Sequence, residues 1–453
     1  MSNHYSPVGV PQELVFELPS SMIDSRKIEE RIQPYSLSSY NTSGQVAKFT
    51  IPQTDRKLLN GQTMYLTGRL TLSGLSGSAL SSYAMLGSFY SLFSRQVINA
   101  NGSVLETIES PGELVNLLLN MTMNGAEKVA QSNSLGCANY ADTNNIDQTN
   151  NIGFKLGVNS SLYGQGKVQY FAIPIIGVLD AVKYIPMWNS NIDIELTINS
   201  LAKWLVPCEV ITTLAGTETF TIDNLELVFD SIELTPESFN MVMASYPQKV
   251  VLKSQSYVAG TGGLSQNSGG QDIAINARLQ SMKQLFFYFN QGTALADLTY
   301  GGINPNGNDV VFISNGKYYP QRPIKLTNPA DVYMQIQKSF GSIKSYSHSG
   351  AIGKTELLRR DTVDTTSCYN APILSGVAGA VLVGGNKFYL SIDTETINTN
   401  KNSLYNGITT GVNSTIRLNV ASALSNATTC MYWCCYDVLL EFDFTTGITR
   451  SIY

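Results

Sequence analysis

Near its midpoint the chain reads LELVFDSIELTPESFNMVMASYPQKVV, from Leu225 to Val251, and this stretch decides the fold. Leu225, Leu227 and Phe229 occupy alternate positions flanked by acids, which is the two-residue period of a strand that buries one face. Thr235-Pro236-Glu237 then offers a capping hydroxyl, a proline at the first helical position and an acid in the first turn. The stretch therefore predicts a strand followed by a short helix.

The two halves of the chain on either side of this helix show the same order of elements. Each half carries strands, a proline-capped helix, long polar loops, two alternating strands and a final strand. Pro247 ends the central helix, and a new strand follows it. We therefore expect an N-terminal arm at residues 1–44, a first domain at 45–234, a linker helix at 235–248 and a second domain at 249–453.

The composition is typical of a β-rich protein whose surfaces are polar rather than ionic. Charged residues make up 14% of the 453 residues, which is below the usual share of about a quarter. The formal net charge is −5, and the 29 lysines and arginines form no cluster larger than an adjacent pair, such as Arg359-Arg360. Because proteins that neutralise nucleic acid carry basic tails or patches, we predict no sequence-specific nucleic-acid binding.

The cysteines form no metal-binding pattern. No paired CxxC units occur among the six, which argues against a zinc site; they are Cys137, Cys208, Cys368, Cys430, Cys434 and Cys435. We predict reduced, buried thiols in an intracellular protein, and the N-terminal residues show no signal peptide. The most apolar run, Ala371–Gly385, is shorter than the roughly 20 residues that span a bilayer.

The first domain contains the clearest local signals. Apolar residues at alternate positions from Ile192 to Ile198 predict a strand with one buried face, and Asn101-Gly102 between two β-prone runs predicts a hairpin. Ser110-Pro111-Gly112-Glu113 reads as a capping box. The apolar stripe from Leu114 through Leu117 and Leu118 to Met121 continues it as a helix, which we expect to end at Asn124-Gly125.

The second domain repeats this order. Asn328-Pro329-Ala330-Asp331 predicts the capped start of a short helix with one apolar side, formed by Val332, Ile336 and Phe340. Polar loops are predicted at residues 131–166, 291–317 and 371–386. Many strands, few helices and long polar connections indicate an all-β chain of two tandem antiparallel jelly-roll β-sandwiches.

Two pairs of acids could in principle serve as general acid and base. Asp193 and Glu195, and likewise Asp393 and Glu395, are two residues apart, which places both carboxylates on one face of a strand. The two-residue period of a solvated sheet face predicts the same pattern without chemistry, and we favour that interpretation.

The histidines and the acidic loop do not indicate a catalytic or a calcium-binding site. His348 lies in a Ser-rich stretch without the turn that presents a catalytic serine, and His4 is near the N-terminus. The oxygen-rich residues Asp142 to Asp147 could bind calcium, but they lack the glycine and terminal glutamate of an EF-hand. An ordinary loop is favoured in each case.

Glycine-rich and aromatic stretches also have plain explanations. The glycines at 260–263 and 376–385 lack the Lys-Ser/Thr of a phosphate-binding loop, so we predict turns. Tyr432, Trp433 and Tyr436 have no basic neighbours with which to bind nucleic acid, so we predict core positions. We predict no catalytic, cofactor-binding or metal-binding residue, no cofactor and no enzymatic activity.

The chain resembles a known family of viral proteins. The segments that carry the resemblance are Leu92–Glu106, Leu114–Leu118, Tyr170–Pro174, Ile192–Leu196 and Tyr436–Thr446. In their order and spacing they are similar to the double jelly-roll major capsid proteins of tailless icosahedral double-stranded DNA viruses. Those of polinton-like viruses and their virophage and adintovirus relatives resemble the chain most closely.

The resemblance implies a structural role. In that family three copies form a pseudo-hexagonal capsomer, and the capsomers assemble an icosahedral shell around the genome. Residues 131–166, 291–317 and 371–386 would then be tower or interface loops, and residues 1–44 an inner arm. The implied partners are the chain itself, penton and minor capsid proteins, and either an internal membrane or an internal protein layer beneath the arm. The implied location is the virion capsid.

Two other classes of protein remain as alternatives. A carbohydrate-binding or glycoside-hydrolysing β-sandwich protein would be expected to show a signal peptide, or paired acids among aromatic residues, and neither is visible. A single-jelly-roll coat protein of an RNA virus usually carries an arm rich in arginine and lysine. Here Arg26, Lys27 and Arg31 are offset by acids. The capsid subunit is the favoured interpretation.

Overall fold

The structure of the protein is a computed structural model. It describes residues 25–74, 82–85, 88–124, 127, 130–131, 134–136, 154–157, 168–180, 184–208, 216–245, 248–291, 304–305, 307–341, 343, 352, 388–395, 406–421 and 428–452. Among these residues, no helix is long and apolar enough to span a membrane.

Strands dominate both halves of the chain. Those of the first half are β1 (Ser25–Ile32), β2 (Ser39–Tyr40), β3 (Val46–Ile51), β4 (Lys57–Ser73), β5 (Ser82–Met85), β6 (Phe93–Ala100), β7 (Ser103–Glu109), β8 (Phe154–Gly157), β9 (Val168–Pro174), β10 (Ile185–Pro186), β11 (Ile192–Ile198), β12 (Leu205–Cys208) and β13 (Thr219–Leu234). Those of the second half are β14 (Lys249–Leu264), β15 (Gly269–Ala274), β16 (Met282–Gln291), β17 (Gly307–Ser314), β18 (Lys317–Lys325), β19 (Tyr389–Asp393), β20 (Thr415–Val420), β21 (Thr428–Asp443) and β22 (Ile448–Ile452). The α-helices whose bounds lie within the described residues include α1 (Pro111–Thr122), α2 (Pro236–Ser245) and α3 (Pro329–Ser339).

Each half forms a sandwich of antiparallel sheets. In the first, the sheet β1-β13-β4-β10, with β2 and β9 at its margins, faces the sheet β3-β11-β6-β7, and β12-β5-β8 form a third, small sheet. In the second, the sheet β14-β21-β16-β19, with β22 beside β21, faces the sheet β15-β20-β17-β18. This is the predicted all-β arrangement with a few short helices.

Local sequence explains the strands that hold the first core. The four apolar residues of β11 are buried while the polar residues between them are half-buried, as the alternation predicts. Asn101 and Gly102 connect β6 to β7 with positive φ angles of 49° and 78°. Asparagine and glycine tolerate that left-handed backbone, so this two-residue turn sets the register of the hairpin.

The starts of α2 and α3 agree with the sequence. The Thr235 hydroxyl lies 3.4 Å from the main-chain nitrogen of Ser238. The Asn328 side chain accepts hydrogen bonds from Ala330 and Asp331 at 3.2 and 3.4 Å. Both residues thus satisfy main-chain donors that a helix leaves free at its first turn.

The predicted capping box of α1 is wrong. Ser110 has left-handed backbone angles, with φ of 50°, and its side chain makes no capping hydrogen bond. Glu113 turns toward the second sandwich instead. The helix ends at Thr122, just before the predicted Asn124-Gly125, and Leu118 on its predicted apolar stripe is only partly buried.

The predicted arm and two of the predicted loops contain regular structure. Residues 25–32, assigned to an arm outside the core, form β1 and pair along their whole length with β13, while residues 1–24 lie outside the described residues. The predicted loop at 291–317 contains β17, which makes a hairpin with β18. Of 131–166 the structure describes only a few residues, including β8, and 371–386 lies outside the described part.

Candidate functional site

The acid pair on β11 is held by cross-strand partners on β3. Thr50 donates a hydrogen bond to Asp193 at 2.6 Å, and Lys48 forms an ion pair with Glu195 at 2.9 Å. These partners lie directly opposite in the strand register. The two carboxylates therefore stabilise the sheet, as cross-strand pairs do.

The second acid pair departs from the prediction. Asp393 is the last residue of β19, and Glu395 lies beyond it, so the two do not share a solvated strand face. The main-chain nitrogen of Glu395 donates to Asp393 at 3.0 Å, and Lys283 binds the Glu395 carboxylate at 3.0 Å. Burial raises the pKa of Asp393. The geometry is that of a partly buried ion pair.

The other sequence candidates are structural where the structure describes them. Tyr432, Trp433 and Tyr436 are buried, as predicted. Residues 260–263 were predicted as a turn, but they lie inside β14 and pair with β21. A Cβ on Gly260 would overlap the Tyr432 ring, which explains the glycine there. His4, His348, residues 142–147 and residues 376–385 lie outside the described residues.

One cavity, of about 330 Å³, lies beside sheet β14-β21-β16-β19 in the described part of the chain. Its lining includes Phe286, Phe340, Glu395 and Cys435. The carboxylate is already neutralised by Lys283, and burial raises the pKa of the thiol to about 12. Across the described residues, no group of three or more histidines, cysteines or acids is arranged to hold a metal ion.

The most elaborate polar arrangement joins the two sandwiches. We call it the seam: β7 and α1 of the first half against β14, β16, β19 and β21 of the second. The indole Nε1 of Trp433 donates to the main-chain carbonyl of Glu109 at 3.3 Å. The seam thus connects elements that are more than a hundred residues apart in sequence.

Glu106 lies at the centre of the seam. Its carboxyl is buried and accepts hydrogen bonds from the Ser256 hydroxyl of β14 and from the main-chain nitrogen of Val178, the latter at 3.1 Å. Ser254 also binds the Val178 carbonyl, at 2.7 Å. Gly177 has a φ of 101°, and a Cβ there would overlap the carboxyl group. Burial raises the pKa of Glu106 to about 8.

Glu113 lies at the edge of the seam, on the first turn of α1. The Tyr288 hydroxyl donates to its carboxyl group at 3.2 Å, and Asn116 one turn later donates to the Tyr389 hydroxyl, also at 3.2 Å. Burial raises the pKa of Glu113 to about 7, against a smaller opposing effect of the Lys203 charge. The residue remains partly exposed.

A further set of contacts ties the two halves together around the turns between strands. Asn101 in the β6–β7 turn donates to the Gly447 carbonyl at 3.0 Å. Trp188 packs against Phe239 of α2 and Phe444 beyond β21, with ring centroids 5.1 and 5.6 Å apart. Together with the seam, these contacts fix how one sandwich stands beside the other.

Sequence reasoning missed both seam carboxyls. Glu106 resembles a solvent-facing strand residue, and Glu113 resembles a capping residue. The only sequence signal was an apolar neighbour on the same element, Leu105 beside Glu106 and Leu114 beside Glu113, and it is a weak one.

The sequence matches no family model and no curated protein, whereas the fold matches solved structures over nearly its whole length. The PBCV-1 VP54 structure fitted into a reconstruction of the virophage Sputnik has a TM-score of 0.57 at 10% identity, covering 97% of this chain and 99% of that one. The mavirus major capsid protein has a TM-score of 0.55 at 10% identity, covering 100% and 96%. The Faustovirus major capsid protein has a TM-score of 0.54 at 9% identity, covering 94% and 92%. The predicted resemblance in fold, a double jelly roll, is confirmed.

Proposed function

We propose that this protein is a structural major capsid protein that assembles an icosahedral shell around a double-stranded DNA genome. The observation that carries the proposal is the end-to-end match with major capsid proteins of mavirus and Faustovirus. A fold alone hosts many functions. Here both jelly rolls are matched together, and little of either chain is left over.

Two jelly rolls in one chain suit the building of a shell. A trimer of such subunits presents six similar units around one axis, which is the shape that fills a hexagonal lattice. This use requires the two units to keep a fixed orientation. The seam and the contacts of Trp188 with Phe239 and Phe444 supply that rigidity.

The finer assignments belong to the same proposal. Residues 45–234 and 249–453 would be the two units, with 235–248 as the linker between them. Of the predicted arm at 1–44, β1 and β2 pair with β13 of the first unit, and residues 1–24 would reach neighbouring capsomers or an inner layer. Penton and minor capsid proteins would complete the shell, and a membrane beneath it is an alternative to a protein layer. The protein would be made inside the host cell and would act in the virion, without reading DNA sequence.

Solution mass is the first test. A trimer should weigh three times the 49.4 kDa of the chain by light scattering, and concentrated protein should form hexagonal arrays by electron microscopy. A chain shortened to residues 25–453 is a matched variant, because it keeps β1 and removes only the segment before it. We expect it to remain trimeric and to form fewer arrays.

A stable monomer at high concentration would contradict the proposal. Binding to an array of glycans, or hydrolysis of glycosides by that monomer, would instead support the alternative of a carbohydrate-active sandwich.

A further inference from the structure

The seam places a buried carboxyl group between two jelly rolls without a compensating positive charge. Glu106 is 3% exposed, and the described part of the chain places no lysine or arginine in an ion pair with it. Its hydrogen-bond partners, the Ser256 hydroxyl and the Val178 amide, are both neutral. An isolated carboxylate is costly to bury, so such a group favours its protonated form.

The titratable groups around Glu106 do not change this balance. Tyr257 of the second jelly roll interacts electrostatically with Glu106, and Cys435 and Asp180 interact in the same way with Tyr257. Burial raises the pKa of each of the three. None of the three carries a positive charge, and the cation that acts on Cys435, Lys283, is paired with Glu395, so these groups do not favour ionisation of Glu106.

The protonated form also fits the hydrogen bonds. One carboxyl oxygen can accept from the Val178 amide, while the other faces the Ser256 hydroxyl, which donates to an ionised carboxyl group and can accept from a protonated one. Ionisation leaves both hydrogen bonds possible but places a bare negative charge between the two jelly rolls. The seam is therefore more stable with the proton than without it.

We propose that the seam is a proton-operated latch, which holds the two jelly rolls together while Glu106 is protonated and loosens when Glu106 ionises. The latch joins parts of one chain, so it goes beyond the proposed capsid role and does not depend on it. In a shell, the same device would make subunit rigidity depend on pH.

The sign of the pH dependence follows from the pKa values. The Glu106 carboxyl titrates at about 8 in the folded protein, against a reference value of 4.5. A group whose pKa is raised by folding contributes its full stability below the lower value and loses it as pH rises to the higher one. The equilibrium constant for opening of the seam should therefore increase by up to about tenfold per pH unit between the two pKa values of 4.5 and about 8.

Glu113 acts in the same direction with a smaller effect. Its carboxyl is linked to Tyr288 of the second jelly roll, and the other titratable groups that face it are Tyr389 and Lys203. The positive charge of Lys203 and the partial exposure of Glu113 both lower the free-energy cost of ionising its carboxyl group. Glu106 therefore dominates the latch.

Amide hydrogen exchange of the full-length protein between pH 6 and pH 9 tests the proposal. Residues 254–257 of β14 should lose protection as pH rises, relative to the amides of β11, whose intrinsic exchange rises equally. In Glu106→Gln this relative loss should disappear, because glutamine accepts from Val178, donates to Ser256 and never ionises. Glu195→Gln is the matched control and should keep the wild-type profile, since Glu195 lies on β11 away from the seam.

A second variant keeps the test decisive if Glu106→Gln does not fold. The Ser256 hydrogen bond lowers the pKa of Glu106, so Ser256→Ala should move the midpoint of the pH profile upward. The proposal is overturned if wild-type residues 254–257 follow β11 at every pH, if Glu106→Gln keeps the wild-type profile, or if the Ser256→Ala midpoint stays or falls.

Discussion

The indole Nε1 of Trp433 donates a hydrogen bond to the main-chain carbonyl of Glu109, 3.3 Å away, so a central strand of the second jelly roll holds the end of β7 in the first. We expect Trp433→Phe to leave that carbonyl without its partner. The loss of unfolding free energy should be about 1–3 kcal/mol beyond the effect of reduced size. Denaturant unfolding monitored by circular dichroism would measure it.

Trp204→Phe is the matched control for this prediction. Trp204 is equally buried and packs edge-on against Phe220, but within the described chain its Nε1 has no hydrogen-bond partner. The same change of size therefore costs no hydrogen bond there. Equal losses in the two variants would show that the Trp433–Glu109 bond contributes nothing.

At Gly61, β4 approaches the main chain of the segment that carries Val178 closely. A Cβ at this position would overlap the carbonyl oxygen of Leu179. Gly61→Ala should therefore cost about 3 kcal/mol or more of unfolding free energy, because backbone on both sides must shift. The urea midpoint measures the effect.

Gly263 in β14 is the control for Gly61. A Cβ there meets nothing within 4 Å, so Gly263→Ala should be neutral or stabilise by up to about 1 kcal/mol. If both alanine variants have the wild-type midpoint, the tight approach of Leu179 to β4 does not exist in solution.

A buried ion pair crosses between β14 and β21. Asp437 is 1% exposed and lies 3.3 Å from the Lys253 ammonium, which is 25% exposed. Lys253→Met should cost about 3 kcal/mol, since it removes an ammonium group that contacts a buried carboxylate, although that carboxylate keeps its hydrogen bond from Ser281. The double variant Lys253→Met/Asp437→Asn should recover more than half of that loss, as measured by a double-mutant cycle. Additive losses would contradict the coupling.

Sequence predicted the elements whose signals are local. The alternation in β11, the Asn101-Gly102 turn and the Asn328 cap each depend on contacts within a few residues, and all three are found in the structure. The two sandwiches follow from the same periodicity. Local periodicity therefore sufficed for the fold class.

Local periodicity could not predict the positions whose partners are distant in sequence. The charged strand β1 was assigned to an arm because its own sequence buries no clear face. Its acids and bases instead meet β13, where Lys27 pairs with Asp230 at 2.8 Å. Glu113 was predicted to cap its helix, but it accepts a hydrogen bond from the Tyr288 hydroxyl, 175 residues away in sequence. No local pattern encodes such partners.

The thiols of β21 allow a final prediction about chemical reactivity. Cys430, Cys434 and Cys435 are free and buried. Burial raises the pKa of all three, that of Cys435 to about 12, whereas the thiolate is the form that alkylating reagents attack. At pH 8 only about one Cys435 side chain in ten thousand would then be ionised.

We therefore expect the peptide that contains all three cysteines to stay unlabelled by iodoacetamide in the folded protein and to be labelled fully in urea, as measured by mass spectrometry. Labelling of the folded protein at the rate of an exposed thiol would mean that β21 opens readily, and the core of the second jelly roll would then be far less stable than its packing indicates.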